Sequence, residues 1–188
     1  MNEMLCETLY EALFDALCAC FGLSPASDEA SALIRRQYPE LEPPPRPPRI
    51  VDVIYYSLAP DPSAREAPPA YHGENPAAAS HTPAVSIFSA WLLTVVCYGP
   101  SARENARKIR VFLFLDGAGF PLSILRKAGI YPVPGAPEPA LLHEPEGSLW
   151  RRRADLAVHL RVNETDLHPS RRNAVRFPPA VTVHTERR

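Results

Sequence analysis

Leu5, Leu9, Leu13, Leu17 and Phe21 recur at every fourth position, and Glu7, Glu11 and Asp15 take the opposite side. That spacing predicts an amphipathic helix over 3–21. Gly22 supplies its stop. A second, shorter helix opens at either Ser24-Pro25 or Ser27-Asp28-Glu29, carries Leu33 and Ile34, and ends before Pro39.

The period then changes. Ile50 to Leu58 is rich in Val, Ile and Tyr and predicts a strand. Both of its parities are apolar, which points to cover on both faces. Ala84 to Tyr98 predicts a second strand. It is longer than the usual strand, so it bends or projects beyond the main body. Ser101-Ala102-Arg103-Glu104 has the form of a capping box, with Ser101 at the N-cap and Glu104 reaching back. The helix it opens runs through Ala106, Ile109 and Leu113 to about Leu115, and Asp116-Gly117 stops it. Pro121 opens a short helix with Leu122 and Leu125 inward and Gly129 closing it.

Trp150 to Val162 alternates most cleanly. Trp150, Ala154, Leu156, Val158, Leu160 and Val162 share one parity, and Arg151, Arg153, Asp155, His159 and Arg161 the other. One face is buried; the other is wet or meets a polar partner. A last strand is expected over about 180–185, where Val181 and Val183 alternate with Thr182 and His184. This order of elements predicts an α+β fold: a mostly antiparallel sheet with helices packed on one face. A chain of 188 residues fits a single domain, 1–188, with N-terminal helices over 1–38 and an α+β core over 50–185.

Composition changes this picture in one respect. The 23 prolines exceed twice the average usage of about 5%. They cluster at 39–48, 60–83, 132–145 and 178–179. Proline lacks a backbone donor and has a fixed φ, so these stretches read as long semi-extended loops, 59–80 and 131–149 above all. Loops of that length inside a compact domain tend to carry function.

Charge and chemistry exclude more than they suggest. A net charge of −1 gives no global attraction for nucleic acid or an anionic membrane. The longest apolar run, 83–98, is broken by Ser86, Ser89 and Thr94 and falls short of a membrane span of about 18 residues. Three of the four cysteines, Cys6, Cys18 and Cys20, fall on the first helix, and the start of the chain lacks the form of a secretory signal. Reduced thiols in a cytosolic setting are therefore expected.

The six histidines 72, 81, 143, 159, 168 and 184 show no metal-ligand spacing, and Cys18 and Cys20, two apart, point to different faces of a helix. Gly117-Ala118-Gly119 is too short for a phosphate loop. Glu138, Glu144 and Glu146 read as solvated loop charges rather than paired catalytic acids. Arg151-Arg152-Arg153 reads as a charged strand end offset by Glu144, Glu146 and Asp155 rather than as a phosphate site. Trp91 and Trp150 could anchor an interface; both fall on the apolar side of their strands, where core packing is at least as strongly expected. No catalytic, cofactor-binding or metal-binding residue is assigned.

One constellation goes further. Trp91-Leu-Leu-Thr-Val-Val-Cys-Tyr98-Gly99-Pro100-Ser101 leads into Asn105-Ala106-Arg107-Lys108-Ile109-Arg110 and Leu113-Phe114. Pro132-Val133-Pro134 follows, and then Gly147-Ser148-Leu149-Trp150-Arg151-Arg152-Arg153-Ala154-Asp155-Leu156. Together with Asp52-Val53-Ile54-Tyr55-Tyr56 and the closing strand, this resembles the neck or tail terminator proteins of tailed bacteriophages over about 50–188. Leu149 stands where that family often has an aromatic.

The resemblance implies a structural virion protein, not an enzyme, placed in the neck and assembled in the host cytoplasm. It implies a ring, commonly a homo-hexamer, that caps the tail tube and meets the head connector or stopper. Phage DNA would pass through its lumen without sequence-specific contacts, and no membrane or cofactor would be involved. The 59–80 and 131–149 loops would contact neighbouring subunits or the tube. Another head–tail connector or tail completion protein, or a small α+β ligand-binding or enzymatic domain, are the competing readings.

Overall fold

The structure is a computed structural model that describes residues 3–37, 48–63, 70–72, 84–86, 88–114, 120–135, 138–146 and 148–163. Helix α1, Glu3–Phe21, buries Leu9, Leu13, Ala16 and Leu17 on one face, as its fourfold spacing requires. Gly22 follows at φ 71°, a left-handed cap that only glycine adopts without strain. Helix α2 is Asp28–Leu33, and of the two possible starts the second is used. The Ser27 side chain accepts a hydrogen bond from the Ala30 amide at 3.2 Å.

That helix ends earlier than the sequence predicts. Ile34 is extended (φ −114°, ψ 122°) and starts strand β1, Ile34–Arg36. A β-branched residue with its side chain in the core fits a pleated edge better than a last helical turn. Strand β1 pairs in parallel with β2, Val53–Pro60. Strand β2 begins three residues later than expected, and Ile50 and Val51 lie exposed before it.

The remaining elements are β3 (Ala70–His72), β4 (Ala84–Ser86), β5 (Phe88–Tyr98), α3 (Ala102–Phe114), α4 (Phe120–Lys127), β6 (Ile130–Pro132), β7 (Ala140–Glu146) and β8 (Leu149–Asn163). The six-stranded sheet has the order β1-β2-β5-β8-β6, and β7 lies along the other half of β8. Every pair but β1–β2 is antiparallel. This is the mixed α+β fold expected, with helices against one face of a mostly antiparallel sheet.

The core sits between that face and the helices. Ile54, Tyr56 and Leu58 of β2, Trp91, Leu93, Val95 and Cys97 of β5, and Ala154, Leu156, Val158, Leu160 and Val162 of β8 point into it. Ala106, Ile109 and Leu113 of α3 and Leu125 of α4 meet them. Each fully buried Leu or Ile here contributes roughly 1.5–3 kcal/mol relative to exposure. The β1 pairing stops at Tyr56, and among the described residues the Leu58 backbone has no strand partner on that side. The Tyr10 hydroxyl takes that place. It accepts from the Leu58 amide at 3.0 Å and donates to the Leu58 carbonyl at 3.3 Å, which ties α1 to the sheet.

Two sequence expectations need correction. Residues 84–98 do not form one strand of one sheet: β4 pairs with β3 in a separate two-stranded sheet, and β5 enters the main sheet. Residues 131–149 are not a loop, since they hold β6 and β7. Among the described residues β7 pairs only with β8, and an edge strand tolerates Pro145 because its free side needs no donor. The strand expected over 180–185, and most of the 59–80 loop, lie outside the described residues.

Candidate functional site

The Tyr98-Gly99-Pro100 junction lies at one end of the sheet, where β5 stops and α3 begins. Gly99 has φ 110°. A Cβ there would come within 2.7 Å of the Val51 carbonyl and 2.8 Å of the Asp52 Cα, so backbone packing as well as conformation demands glycine. The turn lets the Ala102 amide reach the Gly99 carbonyl at 3.3 Å. The capping box is replaced: the Ser101 amide donates to Asp52 Oδ1 at 2.9 Å, not to Glu104. Asp52, forty-nine residues away, thus places a carboxylate at the positive end of α3. Nothing local in the sequence signals this.

Beyond that junction β8 outruns β5. Tyr98 pairs with Arg153, and residues 149–152 pair only with β7. The β7–β8 hairpin therefore extends past the end of β5. Here burial departs from the predicted alternation. Trp150 is 67% exposed and Arg151 only 4%. Trp150, expected in the core, pairs with Pro145 at the edge and, among the described residues, no core side chain covers it. Trp91, 5% exposed, keeps its predicted place in the core.

Arg151 and Arg153 lie on the sheet face away from the helices and stack on Tyr98, with guanidinium carbons 4.6 and 5.7 Å from the ring centroid. Arg153 donates two bonds to Asp155, at 2.7 and 2.8 Å, and Glu144 lies 4.0 Å off. Burial raises the Tyr98 phenol above its usual pKa, against the pull of Arg153. The arginine run is thus a strand end met by acidic neighbours, as its composition predicted. Of the expected solvated loop charges, Glu138 is exposed in a loop as predicted, and Glu144 is not a loop residue. Glu144 is on β7, and Glu138 accepts from Arg110 at 2.7 Å. Tyr98 also packs edge-on against Tyr55, beside Val53 and Val96, so this end of the outer face is apolar beneath its charges.

On the helix side, β7 and the first turn of α3 flank an open groove of about 360 Å³. Leu141, Leu142 and His143 line one wall, and Pro100, Arg103 and Arg152 the other. Leu141, Leu142, Leu149 and Trp150 are all exposed on this one hairpin. Monomeric proteins rarely leave so many large apolar side chains together, and such clusters mark contact surfaces. This exposed apolar cluster falls largely within 131–149, which the sequence read as a loop.

The other end of β5 carries a clasp. Asp61 Oδ1 accepts from the Ser63 hydroxyl at 2.7 Å and the Ser63 amide at 2.9 Å, and Oδ2 meets His159 Nδ1 at 2.5 Å. The Ser63 hydroxyl, then His159, then the Ser63 amide hold the Asp61 carboxyl down at about 2. The clasp fixes the chain where it leaves β2 toward β3. Cys18, Cys20 and Cys97 are free and buried, and burial pushes their thiols up to about 11, 12 and 12. At neutral pH they stay protonated and inert. No helix among the described residues is long and apolar enough to cross a membrane.

A mostly antiparallel sheet, an exposed apolar hairpin reaching past the end of β5 and bonded polar groups at its junctions describe a subunit suited to contact with other proteins. The chain matches the phage neck terminator protein family over residues 7–185, nearly its whole length, and belongs to that family. It is accordingly a structural protein of the bacteriophage neck, working among other virion components. Comparison with the curated proteins gave no match.

Proposed function

We propose that this chain forms a closed ring, a homo-hexamer, that caps the tail tube, ends its growth and joins it to the head connector. Phage DNA passes through the lumen without base-specific contact. The chain acts as one domain, carries no catalytic, cofactor or metal site, and assembles in the host cytoplasm. Membership of the neck terminator family over 7–185 carries this reading. The edges of β1 and β7, which no other described strand covers, support it, because a ring of like subunits joins two different surfaces of each copy.

Electron microscopy of particles made without the protein tests it. Overlong tails, or finished tails not joined to heads, are expected. Tails of normal length joined to heads would overturn the proposal. Tails of normal length left unjoined would assign the chain to the connector side of the junction instead. Deleting 62–79 should leave the main sheet folded and impair assembly, checked by circular dichroism and by counting joined particles.

A further inference from the structure

Charge is not spread evenly over the two sides of the sheet. At the β1 side, residues 3–37 carry Glu3, Glu7, Glu11, Asp15, Asp28 and Glu29 against only Arg35 and Arg36. Arg36 is spent locally: it bonds both Glu7 oxygens, at 2.8 and 2.7 Å, and stacks on Tyr10. Arg35 folds back toward the Ala32 carbonyl at 3.3 Å. Glu11, Asp28 and Glu29 are exposed. The opposite side has the reverse sign. Helix α3 carries Arg103, Arg107, Lys108 and Arg110 against Glu104; Arg110 is bonded to Glu138 and Lys108 lies over the Phe21 ring of α1, so the exposed Arg103 and Arg107 set the sign of the surface. The exposed Arg152 of β8 adds to them along the same wall of the groove, facing Leu141 and Leu142.

We infer that the acidic β1 side of one copy docks on the basic groove side of the next, α1 and α2 of the first against α3 and β7 of the second. The inference rests on the ring reading above and assigns its subunit contact. The two surfaces differ: Glu7 of α1 is bonded to Arg36 of β1, which ends the strand order on one side, while β7 flanks β8 on the other. A contact that joins them is heterologous and propagates in one direction, as a ring requires. The opposed charges set partner and register. The exposed leucines supply the apolar area, because exposed ion pairs by themselves add little.

Charge reversal on the full chain tests this. One variant carries Arg103→Glu and Arg107→Glu, a second Glu11→Arg and Glu29→Arg, and a third all four changes. Ring formation is read by native mass spectrometry and sedimentation, alone and on isolated tail tubes, with melting curves to show that each variant folds. Both two-site variants should need at least tenfold more protein than the wild type to assemble. The four-site variant should recover assembly, and high salt should weaken wild-type rings.

Wild-type-like rings from either two-site variant, or no recovery in the four-site variant, would overturn this contact while leaving the ring reading intact. Normal rings that no longer bind tubes would assign the basic groove to the tube and overturn the self-contact. A wild type that forms no ring, alone or on tubes, would sink both readings.

Discussion

The two halves of β8 obey different rules although they are one strand. From Ala154 to Val162 the even positions are buried under α1, α3 and α4, and the predicted alternation holds. From Leu149 to Arg153 it inverts: Trp150 is exposed and Arg151 buried. Alternation gives each side chain a face. It does not say what covers that face. Helices cover one half, and beyond the end of β5 the same face has only β7 beside it. The first half is core, the second an exposed apolar surface.

The largest expected effect comes from the covered half. Leu156→Ala, at a site 1% exposed, should cost about 2–5 kcal/mol in denaturant unfolding. A loss as small as that of a surface change would show that the helices do not seal this half. At the boundary, Gly99→Ala should cost at least about 1–3 kcal/mol from its positive φ alone, and more from the Val51 and Asp52 backbone it would strike.

Asp52→Ala removes the acceptor of the Ser101 amide and should cost about 1 kcal/mol, the usual worth of a lost cap. Hydrogen exchange should localise the loss to the first turn of α3. In the uncovered half, Trp150→Ala should leave stability within about 0.5 kcal/mol yet weaken assembly. A Trp150 substitution that unfolds the chain would erase the distinction between the halves.

The smallest effect is acid-dependent and lies at the far end of the covered half, at His159. The folded Asp61 carboxyl, at about 2, lies below its ordinary value of 3.8. Its stabilising bonds are therefore complete above the ordinary value and are lost as pH falls toward 2. Protection of the Ser63 amide from exchange should fade over that window, and Asp61→Asn should abolish the dependence.

The helices were legible because their cues are local. The fourfold leucines of α1, the Pro121 start and the Gly129 stop of α4 need only nearby residues. The contact hairpin was not, since Pro145 marks a break in any local reading and only an edge position makes it harmless. Among the features of the junction, the glycine and proline were visible in the sequence and the Asp52 carboxylate was not.

By itself, the sequence determined the helices, the α+β class, the strand parities and the family resemblance, because periodicity, turn chemistry and motif order are properties of neighbours along the chain. The tertiary structure alone decided which parity is covered at each point, which proline-rich stretch pairs as strands, and that Asp52 and Asp61 hold the two ends of the sheet. Each of those depends on groups distant in sequence meeting in space, and burial is a property of what lies opposite.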